Sequence, residues 1–298
     1  MKKHIRPIVC SLAAIMIATP LAACGEKDDS ALLPPAKAEE FLDLPVQSEP
    51  AAGEPEVPPM PEVEPPLSPE VPTVTETPTV PEEPKAAQAK YICIRTDGLN
   101  IRKGAGTNYA VLGTAQKSTL LSYVGKTGNW YETKYKNGTA YVSADGAHTS
   151  ITLLTEGEAK AERVIEEGLS TLGVPYVYGA TRLHDGSGRL LKGFTTSKFD
   201  CSSLMQYIFY EGADVLLNTT TRTQVTQGKE VAKDEIRRGD LLFFTNASRK
   251  NNTGIERVGH VALYLGDNYI LHTASDFAKI EQISATRWSY YITARRVI

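Results

Sequence analysis

Phe199-Asp200-Cys201-Ser202-Ser203-Leu204 places a lone cysteine where a helix begins. Asp200 is a favourable N-cap, and Leu204, Met205, Ile208 and Phe209 then recur at helical spacing until Gly212, read here as the stop. Cys201 therefore falls on the first turn, where unpaired N–H groups and the positive end of the helix dipole favour an anion. This placement predicts a thiol activated from about 8.5 into the roughly 3.5–7.5 range of reactive cysteines. A buried structural cysteine is the alternative for this stretch taken alone.

Sixty residues on, Val258-Gly259-His260-Val261-Ala262-Leu263-Tyr264-Leu265 and Tyr269-Ile270-Leu271-His272-Thr273 flank Gly266-Asp267-Asn268. Two short runs around such a turn read as a β-hairpin. With a three-residue loop, Leu265 faces Tyr269, and His260 and His272 become diagonal neighbours on one side of the sheet. A slip of one residue would part them. A histidine beside a thiol can act as general base and acid, and a second polar group behind it can fix its tautomer. Cys201, His260 and His272 supply these roles in a chain with only 5 His.

Asp200-Cys201-Ser202-Ser203, Gly239-Asp240-Leu241-Leu242-Phe243-Phe244, Gly259-His260-Val261-Ala262-Leu263-Tyr264 and Ile270-Leu271-His272 resemble, in order, the NlpC-type bacterial cell-wall peptidases, a papain-like cysteine endopeptidase family. The match spans roughly residues 156–298. Upstream, Gly173-Val174-Pro175-Tyr176-Val177-Tyr178-Gly179-Ala180 resembles the family's segment before the nucleophile, which implies that Tyr176 lies beside the thiol and helps hold the oxyanion. Ser203 and Ala180 stand where many members have glycine, and neither change removes a reactive group. The resemblance further implies that Asp200 and Ser202 contact the free amine of a stem peptide, although both already have an explanation as helix-start residues.

The N-terminus reads as an export signal: Lys2, Lys3 and Arg6 precede an apolar run over residues 8–17 that is too short to span a bilayer. Leu21-Ala22-Ala23-Cys24 resembles a lipobox, with residues 1–23 removed and Cys24 acylated as a membrane anchor. Of the 4 Cys, only Cys93 and Cys201 then remain as thiols, and Cys93 reads as a buried strand residue. Residues 24–90 form a Pro/Glu-rich linker. All 18 prolines except Pro7, Pro20 and Pro175 lie in 31–85, interleaved with glutamates. Too few large apolar side chains occur there for a core, so the expectation is an extended, solvated spacer with an upper limit on the order of 200 Å. The formal charge of −3 contains this acidic segment, and no Lys/Arg cluster with interleaved aromatics points to nucleic acid.

Residues 91–154 carry short runs punctuated by Gly98, Gly104, Gly113, Gly125, Gly128-Asn129 and Asn137-Gly138, the pattern of a small all-β barrel. Gly98-Leu99-Asn100-Ile101-Arg102, Gly128-Asn129-Trp130-Tyr131 and Ala140-Tyr141-Val142-Ser143 resemble bacterial SH3-like domains, which bind wall polymers or wall part of an active-site groove. Trp130 and Tyr131 are equally accounted for as barrel aromatics. Residues 155–298 open with Thr155-Glu156-Gly157-Glu158, a capping-box pattern, followed by Ala161, Val164, Ile165, Leu169 and Leu172 on one helix face. Loops 181–198 and 246–257 flank the motifs, His148 and His184 read as exposed loop histidines, and 219–227 reads as a polar helix.

The expectation is an α+β protein: an SH3-like barrel followed by a papain-like domain, exported and lipid-anchored on the membrane facing the wall. It would hydrolyse peptidoglycan stem peptides or muropeptides, at the γ-D-glutamyl–diamino acid bond by resemblance, without metal or cofactor. An amidase or acyltransferase using the same centre, and a non-catalytic wall-binding protein, are the alternatives.

Overall fold

The computed structural model describes residues 86–298, which lie within one compact unit. The export-signal reading, Cys24 and most of the Pro/Glu stretch fall outside the described residues. Eight strands come first: β1 (Gln88–Ile94), β2 (Leu99–Arg102), β3 (Val111–Ala115), β4 (Leu120–Ser122), β5 (Gly125–Thr127), β6 (Trp130–Tyr135), β7 (Gly138–Ser143) and β8 (Thr149–Thr155). They are short because turn residues with left-handed backbone, Gly98 at φ 69° and Gly128 at φ 56°, interrupt the apolar alternation. Ile92, Ile94, Ile101, Ala140 and Val142 fill the interior. The first strand starts at Gln88, three residues before the boundary read from sequence, because Gln88 already pairs with Thr155.

Helix α1 (Ala159–Ser170) follows, then α2 (Cys201–Ala213), the single turn α3 (Thr221–Gln224), β9 (Lys229–Val231), β10 (Leu241–Phe244), β11 (His260–Gly266), β12 (Tyr269–Ala274), β13 (Phe277–Gln282), α4 (Ala285–Ser289) and β14 (Tyr291–Arg296). The strands form a 9-stranded sheet in the order β8-β1-β4-β13-β12-β11-β10-β14-β9 and a 5-stranded sheet in the order β3-β2-β7-β6-β5. The fold is α+β, with α1 and α2 covering the central strands over Leu204, Ile208, Leu263 and Leu271. The larger sheet crosses from barrel to helical domain through Ile280 and Leu120.

Three local expectations change. The first helix is capped at Glu158 without a side-chain bond, because Thr155 is consumed by β8. Gly212 does not stop α2; the helix runs to Ala213 and ends on Asp214 in the left-handed conformation. Gly212 is needed for close approach instead, since a Cβ there would sit 2.6 Å from the Val164 Cα of α1. The predicted polar helix over 219–227 shrinks to the one turn of α3, capped by Thr220.

The barrel is built into the helical domain. The β6–β7 turn, Lys136-Asn137, has both residues left-handed, and its N–H groups donate to Leu172 O (2.6 Å) and Ser170 O (3.0 Å). It thereby satisfies carbonyls that the end of α1 leaves open. On the other side the buried Arg238 guanidinium donates to Tyr91 Oη (2.8 Å), to both Glu162 oxygens (2.7 and 2.8 Å) and to Leu265 O (2.6 Å). One side chain thus ties β1, α1 and β11 together. Arg238→Ala leaves the partly buried Glu162 and the buried Tyr91 hydroxyl without their partner, so denaturant unfolding is expected to show a loss of about 3 kcal/mol. A loss under about 1 kcal/mol would mean the network is not structural.

Candidate active site

The Asp200 side chain accepts from Ser203 N (2.8 Å), while Ser203 Oγ accepts from Asp200 N (2.9 Å), a reciprocal capping box. Ser203, where glycine was the commoner pattern, is therefore half of the device that starts the helix. Cys201 is the first residue of α2, and its side chain lines an open pocket of about 380 Å³ shared with Tyr176 and His260. Both Cys201 and Cys93 are free thiols. Cys93 is half-buried on β1, packed against the core.

The hairpin register that the sequence demanded is reached by another route. The turn is two residues, Asp267-Asn268, both left-handed, and Gly266 pairs with Tyr269. A bulge at Leu265 then restores Tyr264 opposite Ile270 and Leu263 opposite Leu271, the same register a three-residue loop would give. His260 and His272 share one face as a result, with Nε2 of His260 2.9 Å from Nδ1 of His272.

Sequence reasoning missed what lies behind them. Nε2 of His272 is 3.0 Å from Oε1 of Glu281, and that carboxylate is held by Arg287 at 3.1 Å and Lys279 at 3.5 Å. Flanked by these charges and by His272, Glu281 is depressed to about 2 despite its partial burial. A carboxylate only accepts, so it assigns the His272 proton to Nε2. His272 Nδ1 must then accept from Nε2–H of His260, and His260 Nδ1 is left as a free base. One ionised group thus fixes the tautomers of both rings, and the hydrogen-bond network assigns each proton. Burial pushes both imidazoles below the ordinary histidine range: His260 strongly, with His272 and Arg287 adding to it, and His272 despite its bond to Glu281.

The activated thiol expected from the helix start is corrected by the fold. Cys201 is buried, and removal from water, with the Asp200 carboxylate adjacent, pushes the thiol up to about 11. The N–H groups of Val261 and Ser202 pull the other way without prevailing. Desolvation outweighs the helix dipole here because the dipole contributes at most about 2 kcal/mol, whereas a fully buried charge shifts by as much as about 3–5 units. Both shifts favour the neutral thiol and the neutral imidazole over an ion pair.

Tyr176 is half-buried and lines the same pocket as the thiol, and burial followed by the nearby Cys201 raises its phenol. Among the described residues neither its hydroxyl nor the Cys201 N–H has a hydrogen-bond partner. Asp200 and Ser202 already have partners within the chain. Both are buried, and the Asp200 carboxylate already accepts from Ser203 N, Ser202 Oγ (3.1 Å), Gly179 N (3.2 Å) and Arg182 (2.9 Å). Arg182, from the loop 181–198 that flanks the motifs, also donates to Ser202 Oγ at 3.0 Å. His184, in the same loop, is buried against Tyr210 rather than exposed, whereas His148 is exposed.

Residues 173–297 match the NlpC/P60 family. This chain carries an NlpC/P60 domain. Residues 97–147 match the bacterial SH3 domain and lie within the barrel, covering β2 to β7. The chain is similar to the peptidoglycan endopeptidase RipA of Mycolicibacterium smegmatis, 31% identical over 140 residues, covering 46% of this chain and 26% of that protein. The gamma-DL-glutamyl hydrolase of Bacillus subtilis is 27% identical, with 64% of this chain and 39% of the relative covered. For the gamma-D-glutamyl-L-lysine dipeptidyl-peptidase of Bacillus subtilis the values are 27%, 58% and 50%. The chain thus spans between about a quarter and a half of the length of these relatives. The NlpC/P60 domain contains every residue of the Cys201, His260, His272 and Glu281 constellation.

Proposed function

We propose that this protein is a cysteine endopeptidase acting on peptidoglycan stem peptides at the γ-D-glutamyl–diamino acid bond. The observation that carries the reading is the hydrogen-bonded series from His260 through His272 to Glu281, ending on a pocket shared with the Cys201 thiol. Names of relatives that cleave peptidoglycan or γ-glutamyl bonds support the substrate class. Sγ of Cys201 attacks the scissile carbonyl as His260 Nδ1 takes the thiol proton. Cys201 N–H and the Tyr176 hydroxyl stabilise the oxyanion. His260 returns the proton to the departing amine, and water, activated by His260, then hydrolyses the thioester. Because Arg182 already neutralises Asp200, the site has no need of a free substrate amine, which favours internal cleavage.

Export and a lipid anchor on Cys24 belong to the same proposal and rest on the sequence of the first 24 residues. Muropeptides incubated with the full-length protein are expected to give, by mass spectrometry, one fragment ending in γ-D-glutamate and one beginning with the diamino acid. Release of the intact peptide from the sugar would instead establish an amidase, and unchanged muropeptides a binding protein. Cys24→Ala is expected to move the protein out of the membrane fraction; a variant that stays there would remove the anchor.

A further inference from the structure

Arg287 is the one residue lining the Cys201 pocket, among the described residues, that carries a fixed charge. Its neighbours there are small, hydroxyl-bearing, amide-bearing or ring residues such as Ser275, Ser284, Asn246 and Tyr290. The guanidinium is braced on two sides: Nη2 lies 3.1 Å from Glu281 Oε1, and the group sits over the Phe244 ring, 5.9 Å from its centroid. That single ion pair uses one of five N–H donors. Among the described residues the side chain makes no other hydrogen bond, and it is about a quarter exposed. A rigid fork with unspent donors beside a nucleophile matches a planar anion that can take two hydrogen bonds at once.

We infer that Arg287 is a specificity-determining residue that anchors a free carboxylate of the substrate flanking the scissile bond. The inference rests on the peptidase reading and adds the group that selects the substrate. Two carboxylates are near enough in a stem peptide to be that group: the α-carboxylate of the γ-linked D-glutamate on the acyl side, or the second carboxylate of diaminopimelate on the leaving side. Arg287 therefore does two things. It holds Glu281 behind the histidines, and it presents its remaining donors to the pocket.

The test compares three tetrapeptides on the full-length protein: L-Ala-γ-D-Glu-diaminopimelate-D-Ala, the same peptide with D-isoglutamine for D-glutamate, and the same with L-lysine for diaminopimelate. Wild type is expected to lose about 10–100-fold in kcat/KM on one of the two altered peptides, the factor carried by charge-assisted hydrogen bonds. Arg287→Gln should erase that discrimination by slowing the parent peptide selectively, and Arg287→Lys should keep part of it. A loss shared equally by all peptides reports the bond to Glu281, whereas the difference between peptides reports the carboxylate. The inference is overturned if wild type treats the three peptides alike, or if its preference survives in Arg287→Gln. Calorimetric titration of the same peptides into Cys201→Ala, with and without Arg287→Gln, reads the anchor without hydrolysis. Failure of wild type to cleave any peptide overturns the peptidase reading, and the titration still decides on Arg287.

Discussion

Cys201→Ala is expected to leave a folded protein that cleaves no stem peptide. Alanine is a good helix residue, and the Asp200–Ser203 capping box that starts α2 does not involve the thiol. Loss of one buried sulfur costs on the order of 1 kcal/mol. Among the described residues the chemistry has no substitute: Cys93, the other free thiol there, lies on β1, a strand that contributes no residue to the Cys201 pocket. Removal of a triad nucleophile lowers kcat on the order of 10⁶-fold, so no turnover should be measurable. Activity above a few per cent of wild type, with an unchanged circular dichroism spectrum and melting curve, would show that Cys201 is not the nucleophile.

The second large effect belongs to the histidines and separates three positions by what each does. His260 moves the proton, so His260→Gln should be as inactive as Cys201→Ala. His272 orients, so His272→Ala should lose up to about 10⁴-fold in kcat, the scale on which a wrong tautomer acts. His272→Gln should retain more, because an amide can still both accept and donate. Glu281 acts one bond further away. Glu281→Leu should lower kcat by about 10–100-fold with little change in KM, and Glu281→Gln, whose carbonyl can still accept from His272 Nε2–H, should fall less. Steady-state kinetics with pH profiles check the order. Equal rates for Glu281→Leu and wild type would mean that the carboxylate does not set the tautomers, and equal rates for all His272 variants would remove its orienting role.

What could be read from the residues in advance was local or set by parity. The start of α2 follows from an N-cap and an apolar period within a dozen residues, and the His260–His272 alignment follows from strand alternation once the register is right. The register was right for a reason the sequence concealed: a two-residue turn and a bulge add up to the same offset as a three-residue loop. Glu281 escaped because it belongs to a third strand, aligned through the two-residue turn Ser275-Asp276 between Ala274 and Phe277. The alternation of Phe277, Ala278, Lys279, Ile280 and Glu281 was the available signal. Thiol ionisation and the pairing of Arg182 with Asp200 were out of reach for a different cause. Both depend on how completely distant segments exclude water from the helix start, and no local pattern encodes that.

The most direct measurement uses a stem-peptide analogue, L-Ala-γ-D-glutamyl chloromethyl ketone, that places an electrophilic carbon next to the carbonyl of the scissile γ-bond. The full-length protein is digested after labelling, and the modified residue is identified by tandem mass spectrometry. The account predicts one label per chain, on Cys201, protected by excess substrate peptide and strongly slowed in His260→Gln. A label on Cys93, or labelling of Cys201 at the same rate with and without His260, would contradict it.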